Sequence, residues 1–175
     1  MKDKVYIRIV KKDEVFIDSE IEFPKNITRC ESKKAFSLLK KMLMDLGYSF
    51  SINDILYTDN GKLYINNSMI KFNYSHSNKY IACAVSLSDV GIDIEDEFNI
   101  SDDAKNIYLH GIDSNLRDAW VIKESYCKLL GNFNDNFFIN MNIDDLKENN
   151  YFISNESYSC SVFYSGHKKN LIITK

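Results

Sequence analysis

Asp93 and Glu95 stand two residues apart in Val90-Gly91-Ile92-Asp93-Ile94-Glu95, and Glu124 and Lys128 stand four apart in Trp120-Val121-Ile122-Lys123-Glu124-Ser125-Tyr126-Cys127-Lys128. The first stretch alternates, which predicts a strand with Ile92 and Ile94 on one face and Gly91, Asp93 and Glu95 on the other. Carboxylates so spaced lie roughly 7 Å apart at their backbones, within reach of one hard cation. Gly91 beside them leaves room for a ligand to approach the backbone. Alone, such a pair is usually a solvated face. Glu124 and Lys128, in that order on a helix, are an ordinary surface pair worth a few tenths of a kcal/mol. Trp120, one turn earlier on the same stripe, argues that this face is not simply wet.

The elements that position these residues follow from periodicity. Lys79 to Ser86 is rich in strand formers and Ser88-Asp89 is turn-like, so this run and Val90 to Glu95 are predicted to pair as an antiparallel hairpin. Ser114 to Leu130 is predicted helical, with Ala119, Ile122, Tyr126, Leu129 and Leu130 buried and Gly131 at its stop. Ser32 to Leu46 is the clearest helix, its stripe made by Ala35, Phe36, Leu38, Leu39, Met42, Leu43 and Leu46, with Gly47 behind it. Lys33, Lys34, Lys40 and Lys41 cover the other side as a solubilising face.

Val5, Ile7 and Ile9 predict a first strand at a sheet edge or in a hairpin, and Val15 to Phe23 one or two more. Asp59-Asn60-Gly61 between Ile55 and Ile65 is a hairpin signal. Phe137 to Met141, Tyr151 to Ser154, Tyr158 to Tyr164 and Leu171 to Thr174 are predicted strands of a second sheet packed on the Ser114 helix. The pattern as a whole is α+β.

At 175 residues, 45% hydrophobic and 27% charged, the chain is an ordinary single-domain composition. Its net charge of -3 argues against bulk attraction to nucleic acid or membrane, so an anionic ligand must be held by local positive charge. The apolar run near the start is broken by Arg8 and Lys11 to Glu14, and no run of eighteen apolar residues occurs, so a cytoplasmic protein is expected. Four dispersed cysteines and three scattered histidines argue against zinc and predict free, mostly buried thiols. There is no glycine-rich phosphate loop and no Gly-x-Ser-x-Gly elbow, so a pyrophosphate must be held by metal and side chains.

A third segment, Phe72-Asn73-Tyr74-Ser75-His76-Ser77, completes a set. With Gly91-Ile92-Asp93-Ile94-Glu95 and Trp120-x-x-Lys123-Glu124-x-x-x-Lys128 it resembles, in the right order, the three motifs of the Sfp-type 4'-phosphopantetheinyl transferases of the holo-acyl-carrier-protein synthase superfamily. Leu63 stands where that family usually has proline after Gly61-Lys62, and the stretch from Asp96 to Ala119 is shorter than usual, so a surface helix found there in relatives is expected to be absent.

The resemblance implies an enzyme that transfers 4'-phosphopantetheine from coenzyme A to a serine hydroxyl of an apo acyl- or peptidyl-carrier protein, releasing 3',5'-ADP. It implies Mg²⁺ held by Asp93, Glu95 and Glu124, with Asp93 facing a cleft and not the core. It gives Glu124 the role of general base and Lys128 that of neutralising the leaving phosphate. Arg29, Lys33, Lys62, Ser75, His76, Lys123 and Lys128 are carried over as coenzyme A-binding residues, His76 on a phosphate. It also implies a monomer of two similar halves, a pseudodimer divided near 1–96 and 97–175, each a small antiparallel sheet packed on a helix, with the active site in the cleft between them. The competing reading is a non-catalytic module of the same fold that binds coenzyme A or carrier proteins.

Overall fold

The computed structural model describes residues 4–112, 115–146, 150–167 and 169–174. Its first strand, β1 (Lys4–Lys11), lies inside a four-stranded sheet, not at an edge. A single tight turn at Lys12–Glu14 ends it, and residues 15–23, where strands are predicted, are irregular. There the Asp18 carboxylate and carbonyl accept the Glu20 and Ile21 amides, holding a turn in place of a ladder.

Helix α1 (Cys30–Asp45) buries Ala35, Phe36, Leu38, Leu39, Met42 and Leu43 of the expected stripe, Leu46 just past its end is half-buried, and Gly47 at φ +84° turns the chain away. The hairpin β2 (Ile55–Tyr57) and β3 (Leu63–Ile65) forms as predicted, Ile55 opposite Ile65. β4 (Lys71–His76) and β5 (Tyr80–Ser86) complete the first sheet in the order β4-β5-β1-β9, where β9 is Asn170–Ile173.

β6 (Val90–Glu95) does not pair with β5 as a hairpin. Both edges of β5 are taken, by β1 and by β4, so β6 leaves the sheet and pairs antiparallel with β8 (Ser159–Tyr164), which in turn pairs with β7 (Asn150–Ser154). β9 likewise departs from the predicted second sheet and runs parallel to β1.

Between β6 and β7 lie α2 (Asp102–Tyr108), α3 (Leu116–Leu130) and α4 (Asp135–Ile139). α2 lies in the stretch where no surface helix was expected; the Ser101 hydroxyl caps it at the Ala104 amide. α4 replaces a predicted strand because Asn134 caps the amides of Asn136 and Phe137 and so starts a helical turn. Asn115 caps α3 in the same way and Gly131 closes it at φ +66°; Ser114, the predicted start, lies outside the described residues.

The layers run α1, first sheet, second sheet, α3. Ile81, Cys83 and Val85 of β5 meet Phe36, Leu39 and Met42 of α1. On the opposite face Val5, Ile7, Ala82 and Ala84 meet Val90, Ile92, Ile94, Cys160 and Val162. The architecture is α+β, with four α-helices and three small sheets among the described residues.

The outer face of β6 meets α3, and there Gly91 has a role other than the predicted one. A Cβ at Gly91 would stand 2.2 Å from both the Leu129 backbone nitrogen and the Ser125 carbonyl oxygen, so the missing side chain admits a helix backbone, not a ligand. This close seat also changes which residues of α3 are buried. Val121, Lys123, Ser125 and Cys127 are buried with Ala119, whereas Ile122, Tyr126 and Leu129 are half-buried and Leu130 is exposed. Three of the four cysteines are buried and all are free; Cys30 is exposed.

Candidate active site

Asp93 points from β6 into the seam between β4 and α3, where only 2% of its surface is exposed. It is therefore buried and does not face an open cleft as expected. The Ser75 hydroxyl, from β4, donates to Asp93 Oδ1 at 2.7 Å. The Lys128 ammonium, from α3, donates to the same oxygen at 2.5 Å and to Ser75 Oγ at 3.0 Å, and lies 3.3 Å from Glu124 Oε2. Three elements thus deliver one side chain or two each to a single point.

The seam is held by polar side chains that meet the free edge of β6. Asn73 of β4 accepts the Ile92 amide through its side-chain oxygen at 3.0 Å. The Lys62 ammonium donates to the carbonyls of Val90 and Leu129. Just past β6, the Asp96 carboxylate accepts the amides of Asn78 and Lys79, while Arg117 donates to the Asp96 carbonyl, to Ser159 Oγ and to the Asn155 carbonyl. Asn73, Asp96 and Arg117 carried no assigned role in the sequence reading. Asn73 alone left a signal, because asparagine in mid-strand is disfavoured unless its side chain has work there.

The electrostatics are those of crowded carboxylates around one cation. Burial, then the neighbouring Asp93 charge, pushes the Glu95 carboxyl up to about 8; Lys128 opposes this, and Glu124 and Asp96 add to it. Burial also raises Glu124, against the pull of Lys128 and with a further push from Asp93. Burial would lower Lys128, but the Asp93 and Glu124 carboxylates outweigh it and hold the ammonium charged well above its ordinary range. Asp93 Oδ2 is buried with no hydrogen-bond partner.

Its carboxylate oxygens, one of them an orphaned buried acceptor, suit a hard cation. As the side chains stand, no three His, Cys, Asp or Glu groups among the described residues are assembled around one metal position. Lys128 is what lies between Asp93 and Glu124.

Next to the cluster is a cavity of about 160 Å³ lined by Asn60, Lys62, Phe72, Asn73, Tyr74, Lys128 and Phe133 among others. His76, at the end of β4, is half-buried, and burial, then the Lys128 and Lys12 ammoniums, push its imidazole below its ordinary value. Arg29 stands exposed at the start of α1, where its charge and those of Lys12 and His76 all act on Glu31. These three basic groups therefore share one corner of the molecule.

One expected ligand-binding lysine is engaged elsewhere. Lys123 is 2% exposed, and its ammonium donates to the carbonyls of Tyr108, Phe138 and Ile139 at the ends of α2 and α4. That burial lowers its pKa and ties three helices together, away from the carboxylate cluster. Lys33 lies over the Phe23 ring, 5.5 Å from its centroid. Trp120 packs among Phe98, Tyr108 and Phe138, which is why its stripe of α3 is not wet.

No protein-family model matches the chain. The chain is similar to a curated relative, the 4'-phosphopantetheinyl transferase gsp of Aneurinibacillus migulanus, with 31% identity over 109 residues, 54% of this chain and 45% of that relative. The match thus spans a little under half of the relative's length. This similarity supports the resemblance to the Sfp-type 4'-phosphopantetheinyl transferases. Among the described residues no helix is long and apolar enough to cross a membrane.

Proposed function

We propose that this chain is a Mg²⁺-dependent 4'-phosphopantetheinyl transferase that moves phosphopantetheine from coenzyme A to a serine of an apo acyl- or peptidyl-carrier protein. The observation that carries this reading is the junction of Asp93, Glu124, Ser75 and Lys128, with Asp93 Oδ2 unpartnered, beside a cavity lined by Lys62 and Lys128. The similarity to a protein bearing that name supports it. On the same proposal the chain is one domain that acts as a cytoplasmic monomer; a division into halves at residue 96 is not kept, because β6 pairs with β8 and β9 runs beside β1.

Asp93, Glu95 and Glu124 would hold the Mg²⁺. When bound, the ion would neutralise the coenzyme A pyrophosphate and polarise its phosphorus–oxygen bonds. Glu124, whose carboxyl is held above the ordinary range, suits the acceptance of the carrier serine proton. The serine oxygen then forms a bond to the β-phosphorus, the phosphoanhydride bond breaks, and its electron pair leaves on 3',5'-ADP. Lys128 supplies the ammonium that neutralises the charge growing on that leaving phosphate. His76 and Arg29 would each contact a phosphate of coenzyme A. Lys62 borders the cavity that would receive the nucleotide.

Glu124→Gln tests this reading against the binding module. The change keeps helix propensity and size while removing the proton acceptor and one anionic ligand. The expected result is a folded protein that binds coenzyme A and an apo-carrier but transfers about 10²- to 10⁴-fold more slowly, read by intact mass of the carrier. Wild type and variant equally inert toward a panel of carriers, with both binding one of them, would establish the binding module instead.

A further inference from the structure

The Lys128 ammonium has three N–H donors, and three oxygens meet it: Asp93 Oδ1 at 2.5 Å, Ser75 Oγ at 3.0 Å and Glu124 Oε2 at 3.3 Å. This is a cation site whose occupant is a side chain. Two of its oxygens belong to carboxylates that the reading above gives to Mg²⁺. Asp93 Oδ2 remains buried and unpartnered, so one ammonium does not saturate the site.

We propose that Lys128 is the resident counter-ion of the metal-free cluster, and that its ammonium and a divalent cation compete for Asp93 and Glu124. The inference rests on the metal reading above and adds a cost to metal binding that the chain itself imposes. Two like charges cannot share one carboxylate oxygen in a buried seam without strong repulsion. Lys128 has somewhere to go: its side chain is 18% exposed and lines the cavity shared with Lys62, Asn73 and Phe133. An anionic diphosphate in that cavity would draw the ammonium off the carboxylates. Metal and diphosphate therefore assist each other through Lys128, reciprocally by linkage.

Calorimetric titration of the full chain with Mg²⁺, in the absence of coenzyme A, tests this in wild type, Lys128→Met and Asp93→Asn. Removal of the competitor in Lys128→Met is expected to tighten Mg²⁺ binding by roughly 5- to 150-fold, the ordinary range of coupling between sites. Asp93→Asn is expected to abolish it. Equal or weaker binding by Lys128→Met, with Asp93→Asn still non-binding, would overturn the competition and leave the metal reading standing. Absence of Mg²⁺ binding in all three would overturn both.

A measurement on wild type alone covers the case of a Lys128→Met protein that does not fold. Acylation of Lys128 by an amine-reactive reagent, followed by peptide mass spectrometry, is expected to speed up several-fold on adding Mg²⁺. An unchanged rate, where Mg²⁺ binding is seen by calorimetry, would overturn the proposal.

Discussion

The two long helices of this chain pack on their sheets by opposite means. α1 lies on β4 and β5 through Phe36, Leu39, Met42 and Leu43 against Ile81, Cys83 and Val85, an apolar contact that tolerates rearrangement. α3 lies on β6 and β8 by close backbone approach at Gly91 and by polar side chains. The fully buried Ser125 hydroxyl meets the Val121 carbonyl and Ser161 Oγ, and Lys123 holds the ends of two other helices. The difference separates stability from placement. An apolar stripe holds a helix to a face but leaves its height and rotation soft, whereas backbone contact and directional hydrogen bonds fix both. Glu124 and Lys128 are delivered by the helix that is held in the second way.

The largest test of this contrast is Gly91→Ala. Its Cβ would collide with backbone atoms of α3 that have no side chain to yield, so the helix must lift from β6. The expected destabilisation is about 3 kcal/mol or more, with loss of transfer even where the protein remains folded. Thermal unfolding with a carrier-loading assay measures both; a fully active, equally stable variant would refute the close-packing account.

Leu39→Ala attacks the other helix. A fully buried leucine on α1 is lost, at an expected cost of about 3 kcal/mol, but the transfer rate per folded molecule should be kept. Denaturant unfolding and kinetics below the melting range separate the two quantities. A rate that falls in step with stability would mean that α1 also positions the site.

Different in kind is the pH dependence set by Glu95. Its carboxyl stands at about 8 in the folded protein against an ordinary 4.5, so the native state binds the proton more tightly than the unfolded one. Between those values the native state holds more protons, and stability therefore falls as pH rises from about 4.5 to about 8. Glu95→Gln should flatten that slope in metal-free protein, as read by unfolding midpoints across the window. An identical slope in the variant would remove Glu95 as its cause.

The least effect is expected for Ser125→Ala. It removes a buried hydroxyl bonded to Ser161, leaving that serine its bond to the Asn150 side chain. A cost of about 1 kcal/mol is expected. If α3 is positioned partly by this bond, the transfer rate should fall as well, which an alanine in α1 at Ser37 should not cause.

Much of this was legible in the chain before any coordinates. The 3.6-residue stripe of α1, the Asn-Gly turn between β2 and β3, and the alternation that puts Gly91, Asp93 and Glu95 on one face of β6 are all local signals, and each holds in the structure. Side chains of the three motif segments meet at Ser75, Asp93 and Lys128. Their burial did not follow, because the alternation that sets a face says nothing about what covers it.

Long-range choices decided the rest. The β5–β6 run satisfies every local rule for a hairpin, yet β1 and β4 had already claimed both edges of β5. Phe137 to Met141 has the composition of a strand, but an asparagine cap starts a helix there, and Lys123 fastens that helix's far end. Lys123 and Lys128 are both lysines on one helix, and nothing in their spacing says that one ammonium takes backbone carbonyls and the other takes Asp93. Backbone period and turn chemistry are set by neighbours along the chain, so the sequence by itself determined α1, the β2–β3 turn and the faces of α1 and β6. The pairing of strand edges, the seat of α3 on Gly91 and the oxygens each ammonium meets depend on groups dozens of residues away, and only tertiary packing brought those together.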